Sequence, residues 1–379
     1  MNKRAVVLIF LVFSLSVNGQ KLLRTYFQSK FDNIFHSANG ISRVKNLARS
    51  GNVNNFLAIS YYIDGNNLSY KRTGEEKYLE INEDIIDIII KKSKKEMSGE
   101  GNIWVAKISE RDINHLMDKK EFMLYEGYFF RYVSEFVFLN QKSKNNWKYI
   151  EFLEDNFLKW RNRSISKYKD NSFFHGARLH MGSHWATVGL FLTKIESVAF
   201  QTKNISKELV EEYDYIVKHN LIKKKFNNQS EEIFTWNSTY NVLFTNYLKS
   251  DNYKSWNKKD EVQDISHGNH IVQYILHSYE YGFNKFSLDD IKILCNTLKL
   301  VLWNKKEKEF YSLLSGSHTS NSILRKANWK VIDGWFKLSK YDHTIYSLML
   351  TFYIKNNNKI DKSIYNYQFY NLMLSYDSN

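Results

Sequence analysis

The chain of 379 residues carries 54 Lys and Arg against 40 Asp and Glu, a formal charge of +14, with 43% hydrophobic and 16% aromatic residues. That supplies a sizeable core for one large domain or two smaller ones. A single cysteine, Cys295, excludes an intrachain disulfide and a cysteine zinc cluster, and it lies in the apolar pattern "IKILCNTLKLVLW" as a buried thiol. No proline interrupts any helix by ring clash, so Gly, Asn, Ser and Asp must make the loops. The basic balance reads either as lysine scattered over solvated faces or as a surface for an anionic polymer. No nucleic-acid motif is visible.

The chain opens with "MNKRAVVLIFLVFSLSVNGQ". Lys3 and Arg4 precede an apolar run and then small or polar residues, the pattern of a secretory signal peptide over residues 1–19. The run is too short to span a membrane. An exported protein, periplasmic or secreted, with no membrane span is therefore expected, with one domain over 20–379.

Helical patterns follow in pairs. "NNFLAISYYIDGNN" pairs with "EEKYLEINEDIIDIIIKKSKK", where Tyr78, Ile81, Ile85, Ile88 and Ile89 share a face and lysines gather at the C-terminal end. "EFMLYEGYFFRYVSEFVFLN" pairs with "NWKYIEFLEDNFLKWRNRSISKY", and "GSHWATVGLFLTKIESVAF" with "SKELVEEYDYIVKHNLIKKKF". "FTWNSTYNVLF" reads as a short strand pair or a crossing loop. "SHGNHIVQYILHSYEYG" pairs with "SLDDIKILCNTLKLVLW", and "ILRKANWKVIDGWFKLSKY" with "HTIYSLMLTFYIKN". Turn residue, acidic first turn and apolar run recur at the joints, which predicts repeated helical hairpins with short connections.

One stretch concentrates chemistry. Asp264, Ser266, His267 and Gly268 stand at a helix entrance. Asp264 or Ser266 is expected to cap the free amides there. That role leaves His267 presented at an end with positive potential, suited to carboxylates, and lets a substrate or another backbone approach Gly268. Beyond it, His267, His270, Tyr274, His277 and Tyr281 recur at three and four residues, a polar-aromatic stripe that reads either as a structural network or, functionally, as one whose top residues line a sugar cleft. His267 and His270 with Asp264 also have feasible spacing for a divalent metal, although no metal or other cofactor is assigned.

Helical hairpins repeated around a ring form an α/α toroid. The joint "YKRTGEEKYL" resembles that of carbohydrate-active α/α toroids, and "QDISHGNHIVQYILHSYEYGFNKFSLDDIKILCNTL" resembles bacterial toroid proteins with an Asp-Ile-Ser-His-Gly signature. "DGWFKLSKYD" and "YEGYFFRYVSEFVFL" resemble two more elements of that family, with Tyr132 standing where it usually has proline. "MGSHWATVGL" resembles its central helix start, with Ser183-His184 in place of an amide pair, and His184-Trp185 is similar to a motif of alginate-lyase and heparinase-type toroids. The resemblance covers roughly residues 55 to 355. It implies an all-α fold, an incomplete or full six-hairpin barrel, and a polysaccharide lyase-like monomer acting on an acidic polysaccharide or oligosaccharide.

Lyases of this architecture cleave uronic-acid polymers by β-elimination, which needs a proton removed at C5 and a carboxylate neutralised. On that implication, His267 and His184 serve as base or neutraliser, Tyr125 as acid, Asp264 beside His267, and Arg131 or Arg178 as anion clamps. Trp185, Trp236 and Trp335 stack on sugar faces or belong to the core. Ser266 and His270 line the same entrance. A glycoside hydrolase would need paired carboxylates, with Glu126 and Asp333 the best pair and Asp264 and Asp342 in reserve. A uronate epimerase of the same fold and a non-catalytic glycan-binding protein remain alternatives.

Overall fold

The computed structural model describes residues 17–36, 38–95, 101–104, 123–168, 179–227, 230–238, 262–283 and 285–375. They are mostly helical. Helices α1 (Val17–Phe35) and α2 (Ala38–Arg49) lead into α3 (Phe56–Thr73) and α4 (Lys77–Lys92). Next come α5 (Met123–Leu139), α6 (Asn146–Tyr168), α7 (Leu179–Lys194) and α8 (Phe200–Asn220). Then α9 (Ile265–Glu280) precedes α10 (Leu288–Asn296), which continues as a π turn over Thr297–Leu302. The short α11 (Ser322–Lys326), a 3-10 turn (Trp335–Lys340), α12 (His343–Ile360) and α13 (Asn366–Leu374) complete the order. Three two-stranded antiparallel ribbons join these: β1 (Lys94–Lys95) with β2 (Asn102–Ile103), β3 (Ile222–Lys225) with β4 (Glu232–Thr235), and β5 (Trp303–Asn304) with β6 (Glu309–Phe310). Among the described residues no helix is long and apolar enough to cross a membrane.

Two kinds of helix alternate. Every residue from Glu126 to Val137 in α5 is buried, as is every residue from Gly182 to Leu192 in α7 and from Gly268 to Ser278 in α9. Helices buried all round need neighbours on every side. Accordingly α3 packs on α5, α5 on α7, α7 on α9, α9 on the 3-10 turn, that turn on α12, α12 on α13, and α13 back on α3. The helices between them bury one face only: α4 lies on α3, α6 on α5, α8 on α7 and α10 on α9. Polar side chains of the wholly buried helices must then satisfy one another. They do so along α9, through Asp264, His267, His270, Gln273 and His277.

The hairpin pairs expected from the sequence are present, with three differences. The buried face of α4 includes its own Asn82, which accepts from Asn66 and donates to Asn67 of α3 in the interior, so Ile81 and Ile88 are only half-buried. The segment "IKKK" at the end of the α8 pattern is strand β3, paired with Glu232–Thr235. Residues 239–244 of the expected crossing segment lie outside the described residues. "ILRKANWKVIDGWFKLSKY" is broken into α11, turns and the 3-10 element instead of one helix. The cause is close packing: a Cβ on Gly334 would sit 2.0 Å from the Asn269 carbonyl oxygen of α9, and the Asn269 side chain accepts from the Gly334 and Trp335 amides at 2.7 and 2.9 Å.

Candidate active site

Helix α9 begins as the sequence implies. Asp264 is its N-cap, and its Oδ1 accepts from the Ser266 and His267 amides at 3.1 and 3.0 Å. Ser266 does not cap; its hydroxyl donates to the same oxygen at 2.7 Å. The second carboxylate oxygen meets Nδ1 of His267 at 2.6 Å. Burial alone would raise the Asp264 carboxyl, but the bonds from His267 and Ser266 outweigh it and hold the group well below the usual carboxylate range. An ionised Asp264 keeps a proton on His267 Nδ1 and leaves the Nε2 lone pair available. The His267 side chain is 34% exposed.

One turn deeper, His270 is buried in a network. Tyr128 donates to its Nε2 at 2.8 Å. Its Nδ1 faces Asp333 Oδ2 at 3.0 Å and Arg131 Nη1 at 3.1 Å. Arg131 is paired with Asp333 at 2.6 Å, and both are buried. Tyr132 donates to the other Asp333 oxygen, where Gln368 of α13 also reaches at 3.4 Å. Burial, and after it the Arg131 charge, keeps His270 well below the usual histidine range. His184 of α7 lies against this group, 4.2 Å from the Tyr128 ring and 4.9 Å from the His270 ring. It is wholly buried and also depressed, by burial first and Arg131 second. The His180 ring, one turn away on α7, lies against His267 in a tilted contact with ring centroids 4.1 Å apart.

The fold thus brings together His184, Asp264, Ser266, His267, His270, Arg131 and Asp333. It holds other expected residues apart. Glu126 accepts from Lys159 at 2.8 Å and Trp160 at 2.6 Å on the α6 side of α5, in an ion pair separate from that of Asp333. Each of the two carboxylates is thus bound to its own buried cation. Trp185, Trp236 and Trp335 are buried. Trp236 stacks on Trp335 at 6.0 Å, and the Trp335 indole donates to the Ile265 carbonyl. Their rings are covered by protein and belong to the core. Gly268 faces these two indoles, 3.4 and 3.8 Å from its Cβ position, at ordinary contact distance. Tyr125 is half-buried on α5, three residues before Tyr128. Arg178 lies outside the described residues, as do residues 1–16 of the expected signal peptide.

The polar stripe of α9 is also revised. Tyr274 turns outward to donate to Asp214 of α8 at 2.7 Å, and Gln273 takes its place inside, bonded to His277 at 2.8 Å. At the far end Glu135 binds Lys71 at 2.7 Å with Tyr281 at 3.4 Å. His180, Tyr128, Tyr132 and Gln368 are the site residues that sequence reasoning missed. His180 and His184 stand four apart, a spacing that puts both on one helical face, and Tyr128 and Tyr132 repeat it on α5. Nothing local marks Gln368.

Asp264, His267 and His270 do not form a close set of ligand atoms. Among the described residues, three or more such atoms lie mutually within 4.8 Å only at Glu307, Glu309 and His318, where Glu309 is already paired with Lys355. No protein-family model, no curated protein and no solved structure matches this chain.

Proposed function

We propose that this is an exported, carbohydrate-active protein whose helices close into an α/α toroid, acting on an acidic, uronic-acid-containing glycan by β-elimination. The cyclic succession of contacts from α3 through α5, α7, α9, the 3-10 turn, α12 and α13 back to α3, with α4, α6, α8 and α10 outside the first four, supports the toroid. The observation that carries the reaction is the Asp264–His267 pair. A carboxylate 2.6 Å from Nδ1 orients a partly exposed imidazole and fixes its tautomer, the arrangement a general base needs.

In this reading His267 Nε2 takes the C5 proton of a uronate residue, and the electron pair moves to form the C4–C5 double bond. The C4–O bond breaks, and Tyr125 returns a proton to the leaving oxygen. Elimination is favoured over hydrolysis because Glu126 and Asp333 are each committed to a separate buried cation.

The test is the ultraviolet absorbance of an unsaturated uronide. Purified protein is incubated with a panel of uronic-acid polysaccharides beside the His267→Ala variant. A rise in the wild type that the variant lacks supports the proposal. New reducing ends without absorbance indicate a hydrolase. Glycan binding with no product indicates a binding protein.

A further inference from the structure

The site contains a second arrangement, which shares only His267 with the proposed elimination. His180 and His184 occupy one face of α7 at a spacing of four, and His267 and His270 one face of α9 at a spacing of three. The two faces meet, with ring centroids 4.1 Å apart for His180 and His267 and 4.9 Å apart for His184 and His270. Paired histidines on adjacent helices are a donor set for a borderline-soft transition metal. His270 is excluded, since its Nε2 is held 2.8 Å from the Tyr128 hydroxyl and its Nδ1 lies between Asp333 at 3.0 Å and Arg131 at 3.1 Å. His184 differs: it is wholly buried, and among the described residues neither ring nitrogen has a hydrogen-bond partner. A buried polar group in that condition costs stability unless a ligand satisfies it.

We infer that His180, His184 and His267 form a binding site for a zinc-class divalent cation between α7 and α9, with Asp264 as the outer carboxylate behind His267. Asp264 already holds His267 Nδ1, so Nε2 is the nitrogen that ligates, the usual carboxylate–histidine–metal order. As the rings stand, their nitrogens are not all within 4.8 Å of one another. Binding therefore turns the rings about their side-chain bonds until each nitrogen reaches about 2.1 Å from the ion. His184 breaks no hydrogen bond in turning. Three imidazoles leave a fourth position open. The ion and a substrate proton compete for the same Nε2, so the loaded protein is the inactive form in the proposed elimination.

Metal content measured without substrate tests this independently of any glycan. The protein is equilibrated with zinc or cobalt(II), passed through gel filtration and analysed for metal, and the cobalt form is examined for the intense visible bands of four-coordination. One equivalent is expected. His184→Asn should abolish its retention, and so should His267→Gln, a change at a partly exposed position that serves if the first variant does not fold. Asp264→Asn should weaken affinity about 10–100-fold. The inference is overturned if no metal is retained, or if both histidine variants hold it as the wild type does. Loss of metal in His318→Ala alone also overturns it, by assigning the ion to Glu307, Glu309 and His318.

Discussion

Asp264 Oδ2 lies 2.6 Å from His267 Nδ1, while Asp264 Oδ1 caps the helix that carries His267. One carboxylate therefore serves two purposes with two oxygens, and substitution can part them. Asp264→Asn keeps an oxygen for the cap but puts an N–H against Nδ1, which moves the ring proton to Nε2. Elimination should fall by about 10²–10⁴-fold with little change in Tm. Asp264→Ala should lose the same activity and roughly 1 kcal/mol of stability as well. Turnover and thermal melting of both variants check this. Equal melting temperatures would refute the cap, and undiminished turnover in Asp264→Asn would refute the orienting role.

Arg131 and Asp333 form an ion pair with almost no exposure. Removing one partner strands a buried charge, so Asp333→Leu should cost about 3–5 kcal/mol. Arg131→Met in the Asp333→Leu background removes the stranded charge, and the double variant should be the more stable of the two. Urea midpoints of the three proteins decide it.

Asp214 predicts a dependence on pH. Burial pushes its carboxyl up to about 6, opposed by the Tyr274 hydrogen bond. A group raised on folding holds more protons in the native state. Its contribution is therefore fully present below about pH 4 and is lost as pH rises to about 6, with no further change above. Asp214→Asn keeps an acceptor for Tyr274 and removes the titration. The variant should be the more stable at neutral pH, by on the order of 2–3 kcal/mol, and the two proteins should converge toward pH 4. Melting temperatures across that range give the measurement, and parallel curves would count against the assignment.

Two glycines should respond differently to alanine. At Gly334 the new Cβ would overlap the Asn269 carbonyl at 2.0 Å, so α9 or the turn must shift. Gly334→Ala should cost about 3 kcal/mol or more. Gly74 closes α3 at φ 72° with open space around it. Gly74→Ala meets only backbone strain, roughly 1–2 kcal/mol. Chemical denaturation of each variant is sufficient, and similar losses would contradict the packing argument.

Hairpins and the α9 cap were legible in the sequence because they depend on local chemistry. The period of the apolar residues gave α3 to α10 and α12, and Asp264 two to three residues before Ser266 and His267 gave the cap. The expected helix over "ILRKANWKVIDGWFKLSKY" was not realised, since periodicity carries no information about the Asn269 backbone against which Gly334 packs. The same limit applies to α9. Its three-and-four spacing shows a polar side but does not separate Gln273, which faces inward, from Tyr274, which faces Asp214.

By itself, the sequence determined that the chain is helical, that its helices come in pairs, and that Asp264 and His267 share one helix entrance. Each of these follows from interactions a few residues apart. Only the tertiary structure decided that Asp333 is the partner of Arg131 rather than of Glu126, that the three tryptophans are core, and that His180 belongs with His267. Those pairings join residues far apart in the chain, and they exist because helices buried on every side must turn their polar groups toward one another.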